Sequence, residues 1–104
     1  MFEEYQILTE KLKTILPFEA FPVRELVAQM RSKLSIRLKT MLLVKDVYNS
    51  NDISGIMCIA EMENSEPLAC ALTHLIIPNS NPLYSEIKDY QNKRIKRIKK
   101  LNQF

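Results

Sequence analysis

Apolar residues return every third and fourth position at the start of the chain. Phe2, Tyr5, Leu8, Leu12, Ile15 and Leu16 fall on one side, and Glu3, Glu4, Glu10, Lys11 and Lys13 on the other. That period is what an α-helix needs to bury a single stripe, and Pro17 stops it by removing a backbone donor. A short linker, Phe18 to Phe21, leads to Pro22, whose fixed φ suits a first helical turn. Val23, Leu26, Val27 and Met30 make a second stripe, so a second helix is expected from Pro22 to somewhere between Ser32 and Ser35. The segment Pro22 to Lys33 has the look of one arm of a helix-turn-helix unit, but no glycine-containing turn and no second helix follow it.

From Ile36 the period shortens to two. Ile36, Leu38, Leu42, Val44 and Tyr48 share one face, and Arg37, Lys39 and Lys45 share the other, which is strand behaviour. Asn49-Ser50-Asn51-Asp52 is a polar turn, Ile53 to Met62 reads as a second strand, and Glu63-Asn64-Ser65-Glu66-Pro67 marks another turn. Leu68 to Ile77 reads as a third strand, ended by Pro78. Turns this short join antiparallel neighbours, because a parallel return needs a crossover of about a dozen residues or more. The expected sheet is a three-stranded meander.

Asn79-Ser80-Asn81-Pro82 starts a helix, with Asn81 as its cap and Pro82 in its first position. A long helix is expected over about 82–101. Leu83, Ile87, Tyr90, Ile98 and Leu101 project to one side of it, with Arg94 in the middle of that stripe. Such an arginine either finds a carboxylate or marks where the helix leaves the domain surface. Helices segregated from a run of strands define an α+β domain, here ααβββα, with residues 1–104 forming one domain. Ala69, Ala71 and Thr73 alternate with larger residues on the third strand, and the second strand carries few charges. The sheet is therefore expected to be covered on both faces, by its own helices and by a second copy of the chain, making a homodimer.

Composition changes this picture little until charge is located. Apolar residues make up 46% and charged residues 26%, enough to form one core. The single glycine, Gly55, excludes P-loop and dinucleotide fingerprints, each of which needs several. The acidic first residues do not read as a secretory signal. Lys45, Asp46 and Glu61 interrupt the most apolar region before it could span a bilayer. A cytoplasmic location without integral membrane association is the expectation. Residues 1–89 carry nine Lys and Arg against twelve Asp and Glu, a net of −3. Residues 90–104 carry six basic residues and no acid, a net of +6.

That basic end holds the candidate site: Lys93, Arg94, Lys96, Arg97, Lys99 and Lys100. Cations packed on a helix neutralise nucleic-acid phosphates. They also complement the negative end of a helix dipole, dock on an acidic protein or on the acidic body of a second subunit, or lie on an anionic membrane surface, for which the face lacks Trp and Phe anchors apart from Phe104. Most aromatic residues fall at core positions and Tyr84 is the candidate for exposure, so any nucleic-acid contact is expected to read backbone rather than bases.

Metal and catalytic chemistry find less support. Cys58, Cys70 and His74 could converge across two strands, but they lack the close knuckle spacing of structural zinc sites and sit among core residues. Both cysteines are expected to be reduced, buried thiols and poor nucleophiles. Glu3/Glu4 and Glu61/Glu63 are paired carboxylates with no evident pocket. The sequence therefore points to a binding protein that is not an enzyme and has no metal or cofactor. Its contact is with nucleic-acid phosphates, or alternatively with protein as an interaction or assembly module.

Overall fold

The computed structural model describes residues 3–30, 39–50, 55–62 and 66–101, with 30 and 97–101 given by their backbone alone. Helix α1 spans Glu3–Lys13, strand β1 Phe18–Pro22, and helix α2 Arg24–Met30. Strands β2 Leu42–Asn49, β3 Ile56–Glu61 and β4 Leu68–Ala71 follow. A 3-10 turn at Leu72–His74 leads into the short strand β5, Leu75–Ile76, and helix α3 runs from Tyr84 to Leu101. The α+β class and the antiparallel sheet agree with the sequence pattern. The strand count does not, because the sheet has five strands in the order β4-β3-β2-β1-β5.

Two corrections account for the difference. The first is the segment expected to be a linker, Phe18 to Phe21, which is strand β1 and pairs with β2 on one side and β5 on the other. Its Phe18, Ala20 and Pro22 point inward, the period-two signature of a strand, but Pro17 and Pro22 bracket so few residues that the alternation is hard to see. Pro22 sits at the strand's last position, where Val23 N–H takes over and donates to the His74 carbonyl at 3.0 Å.

The second is the expected third strand, Leu68 to Ile77, which is broken. Its first part pairs with β3, and after the 3-10 turn its second part pairs with β1 at the opposite edge of the sheet. The break shifts the alternation, so Leu68, Cys70 and Leu72 are buried before it and Leu75 and Ile77 after it, leaving Ile76 exposed. Ala71 to Leu75 at about 2 Å per 3-10 residue covers only about 8 Å. Five strands laid flat at about 4.8 Å spacing would hold their edges about 19 Å apart. The sheet therefore curls until its two edges meet at this corner.

A bulge adds a third shift. The β2–β3 register slips between Val44 and Asp46, leaving Lys45 without an opposite residue, and the Asp46 carboxylate accepts the Val47 N–H at 2.8 Å. An extra residue inverts the faces beyond it. Val47 consequently enters the core, while Tyr48, expected inward, is exposed.

The concave side gathers the core. Ala20, Leu42, Val44, Val47, Ile56, Cys58 and Ala60 come from the sheet, Leu8 and Leu12 from α1, Leu26 from α2, and Ile87 and Tyr90 from α3. On the opposite face Met57, Ile59 and Ala71 are half-buried and Ala69 is exposed. The expected end of α2 at 32–35, the first residues 36–38 of the expected strand and residues 63–65 of the expected 63–67 turn lie outside the described residues, while residues 39–41, expected in that strand, precede β2 without belonging to it. The Asn81 side-chain oxygen accepts the Leu83 N–H at 2.8 Å in the turn that leads into the last helix, which begins at Tyr84 rather than at Pro82.

Candidate interaction surface on the C-terminal helix

Helix α3 presents Ile87, Tyr90, Gln91 and Arg94 to the body, a spacing of three, one and three residues that keeps all four on one buried stripe. Each is fixed differently. Gln91 donates from Nε2 to the carbonyls of Leu72 and Leu75, at 2.8 and 2.7 Å. A single amide thus satisfies two acceptors at the corner where the sheet turns. The Tyr90 hydroxyl accepts the Ile56 N–H at 2.9 Å, and its ring meets the Tyr5 ring edge-on, with centroids 5.0 Å apart. Burial pushes the Tyr90 phenol up, and the Ile56 N–H and Arg94 partly offset it.

Arg94 is only 4% exposed. Its guanidinium carbon lies 5.8 Å from the centre of the Tyr5 ring, within cation–π range, and its Nε has no hydrogen-bond partner. Among the described residues it joins no ion pair. The arginine that interrupts the apolar stripe is thus an interior residue shared between α1 and α3. Gly55 makes room for it. This residue has φ +71°, and a β-carbon there would lie 2.5 Å from the Tyr90 hydroxyl and 3.2 Å from Arg94 Nε. The glycine is needed both for its left-handed backbone and for the close approach of two side chains.

The six basic positions of the sequence therefore do not form one strip. Arg94 turns inward. Lys93 is exposed but pairs with Asp89 one turn back at 3.2 Å, and that hydrogen bond holds its ammonium above its ordinary range. Lys96 is exposed. The side chains of Arg97, Lys99 and Lys100 lie outside the described residues.

The two flanks of α3 differ. On one, α1 and α3 flank a groove of about 400 Å³ lined by Tyr5, Ile7, Leu8 and Tyr90 together with Glu4, Asp89 and Lys93, and Ile7 stands exposed beside it. Lys11 reaches across it to Glu86 at 3.2 Å. On the other flank a groove of about 150 Å³ runs between α3 and the β5 edge. Val23, Ile76, Tyr84 and Ile95 make its apolar walls, and Lys88 is its one charged lining residue among those described. Ile76 is 52% and Ile95 42% exposed. Sequence periodicity missed this groove because Ile76 reads as an inward strand residue and Ile95 as one apolar residue in a basic run. Tyr84, expected to be exposed, is half-buried in its wall.

The remaining candidates lie elsewhere. Cys58 and Cys70 are cross-strand partners in the β3–β4 register and both are buried, free thiols. Burial raises Cys70 to about 11 and Cys58 further, with the nearby Cys70 adding to the rise on Cys58. At neutral pH both remain protonated and hidden, unsuited to nucleophilic attack. His74 belongs to the 3-10 turn rather than to their strand. Among the described residues no group of three or more His, Cys, Asp or Glu converges as a metal site, and no helix is long and apolar enough to cross a membrane.

The fold and this surface define a small α+β domain with a curled antiparallel sheet and an apolar, lysine-bordered groove along its last helix. No protein-family model matches the chain, and no curated protein or solved structure matches it.

Proposed function

We propose that the protein is a non-enzymatic interaction module that binds protein through the groove between α3 and β5. The observation that carries this reading is the convergence of Ile76 and Ile95, both exposed large apolar side chains, on one concavity whose charged lining among the described residues is Lys88. Exposed aliphatic residues bordered by cations suit a partner segment that offers apolar side chains with carboxylates beside them.

The alternative expectation, contact with nucleic-acid phosphates, needs cations free to release counterions. It is weakened by the withdrawal of Arg94 and by the engagement of Lys93 with Asp89. Isoleucines at the groove add nothing to phosphate binding, whereas aliphatic side chains left exposed together in a concavity suit a protein contact.

The test compares two labelled probes by fluorescence anisotropy. One is a helical peptide of about 15 residues with leucines on one face and glutamates beside them. The other is a single-stranded oligonucleotide of about 20 nucleotides. The peptide is expected to bind, with Ile95→Ser weakening it at least about fivefold, a loss on the order of 1 kcal/mol. Oligonucleotide binding that falls steeply between about 50 and 200 mM salt and ignores Ile95→Ser would establish the phosphate reading instead.

A further inference from the structure

The exposed side of α1 has the complementary chemistry. Ile7 is 58% exposed, the highest among the large apolar residues described. On a helix its neighbours lie three and four positions away, which places Glu3 and Glu4 before it and Glu10 after it, all three exposed. The remaining neighbour, Lys11, is drawn off to Glu86. The result is an aliphatic knob, the exposed Ile7 side chain on the lip of the α1–α3 groove, with three carboxylates around it on α1 and the cations of that groove, Lys11 and Lys93, already paired with Glu86 and Asp89. The α3–β5 groove is the converse, an aliphatic socket with Lys88 in its lining and Lys96 exposed one residue beyond Ile95.

From this match we infer that the occupant of the groove is a second copy of the chain, whose Ile7 seats against Ile76 and Ile95 while its Glu3, Glu4 and Glu10 face Lys88 and Lys96. The inference rests on the reading of the groove as a protein interface and deepens it by naming the partner. Both halves of the contact are exposed in one chain, so neither needs a conformational change to meet the other. Charge sets the polarity, because two basic sockets or two acidic knobs placed together repel.

Knob and socket are different surfaces on opposite flanks of α3, so the contact is heterologous. Such a contact leaves one knob and one socket unused at the ends of every assembly, which then closes into a ring or grows head to tail. A contact built on one aliphatic anchor is weak, and its assembly is expected at tens to hundreds of micromolar, roughly −5 to −6 kcal/mol per contact. Its ion pairs are exposed and screened by salt.

Sedimentation equilibrium of the full chain tests this. The mass is expected to rise from the 12.2 kDa monomer as concentration increases from about 10 μM to about 1 mM, and to fall back at about 0.5 M salt. Ile7→Lys removes the knob and Ile95→Glu the socket, and each variant alone is expected to stay monomeric. Mixed in equal amounts, the intact socket of the first accepts the intact knob of the second, and the mixture stops at a dimer. Both side chains are exposed, so folding is preserved; far-ultraviolet circular dichroism checks it, and Lys88→Glu serves as a second socket variant if Ile95→Glu unfolds.

A wild-type chain that stays monomeric at the highest concentration overturns the inference. So does a mixture of the two variants that remains monomeric, or an Ile7→Lys chain that assembles like wild type. Failure here is separable from failure of the groove reading. If the acidic peptide binds and the chain remains monomeric, the groove is an interface for another protein. If the peptide does not bind either, both readings fall.

Discussion

The two flanks of α3 carry similar residue types and put them to opposite use. On the α1 flank the polar and aromatic groups mostly engage the domain's own residues, with Tyr90 on the Ile56 amide, Arg94 over Tyr5 and Lys11 on Glu86, although Arg94 Nε stays unpaired and Ile7 stands exposed beside the groove. On the β5 flank the aliphatic side chains of Ile76 and Ile95 are left to solvent. Satisfied polar groups fasten a helix to its own domain, whereas exposed aliphatic groups in a concavity gain free energy only when something else covers them. The difference teaches that a basic helix cannot be read as a uniform charged strip. Its function depends on which side chains the body has already claimed.

Gly55→Ala tests the packing of the α1 flank most severely. It combines a left-handed backbone that alanine disfavours with a β-carbon driven into the Tyr90 hydroxyl. A loss of about 3 kcal/mol is expected from strain and the disturbed hydrogen bond together, measured by urea unfolding. A loss under about 1 kcal/mol would mean that the flank is loosely held.

The sheet beneath both flanks offers a comparison through pH. Free thiols ionise near pH 8.5 in an unfolded chain, while burial holds Cys70 up to about 11 and Cys58 higher still. The folded state therefore favours the protonated thiols. Their contribution is fully present below about pH 8.5 and is lost as pH rises toward 11, by about 1 kcal/mol per pH unit for each thiol. Unfolding free energies of the wild type and of a Cys58→Ala/Cys70→Ala double variant are expected to diverge in slope above pH 8.5. Parallel curves would show that the thiols are not held protonated.

Gln91 stands between the flanks, and Gln91→Leu removes the side-chain donor shared by the Leu72 and Leu75 carbonyls at the corner, leaving Leu72 with only the Leu75 N–H. The expected cost is about 2 kcal/mol, with faster amide exchange in β5 than in β3. At the other extreme, Ile76→Ser on the open flank should change stability by no more than about 0.5 kcal/mol, because the side chain is already half in water, while it weakens peptide binding. A large stability loss from Ile76→Ser would erase the contrast between the flanks.

Much of the fold was legible in the sequence because it is written locally. The Phe2 to Leu16 stripe marked α1, the Asn81-Pro82 pair marked the start of α3, and the Ile53 to Met62 run covered β3. The errors lie where tertiary pairing overrode local pattern. Phe18 to Pro22 is too short to advertise its alternation, and becomes a strand because β2 and β5 flank it. No glycine or proline marks the 3-10 turn at Leu72–His74, so the run before Pro78 reads as one strand.

The site was legible only in part. The position of Arg94 within the apolar stripe signalled an anomaly, but its resolution draws on Tyr5, Gly55 and Tyr90, which three separate segments bring together. The groove was invisible for the same reason, since Ile76 and Ile95 become neighbours only once the sheet has curled against the helix.

The corner at Leu72–His74 ties together strands that stand at opposite rims of the sheet. A flat sheet frays from whichever border is weaker, strand by strand. Here neither border can peel while the corner holds, and once it gives way both come free. The hydrogen-exchange rates of Leu68–Ala71 and Phe21–Val23 are therefore expected to rise together in a variant that loosens this corner.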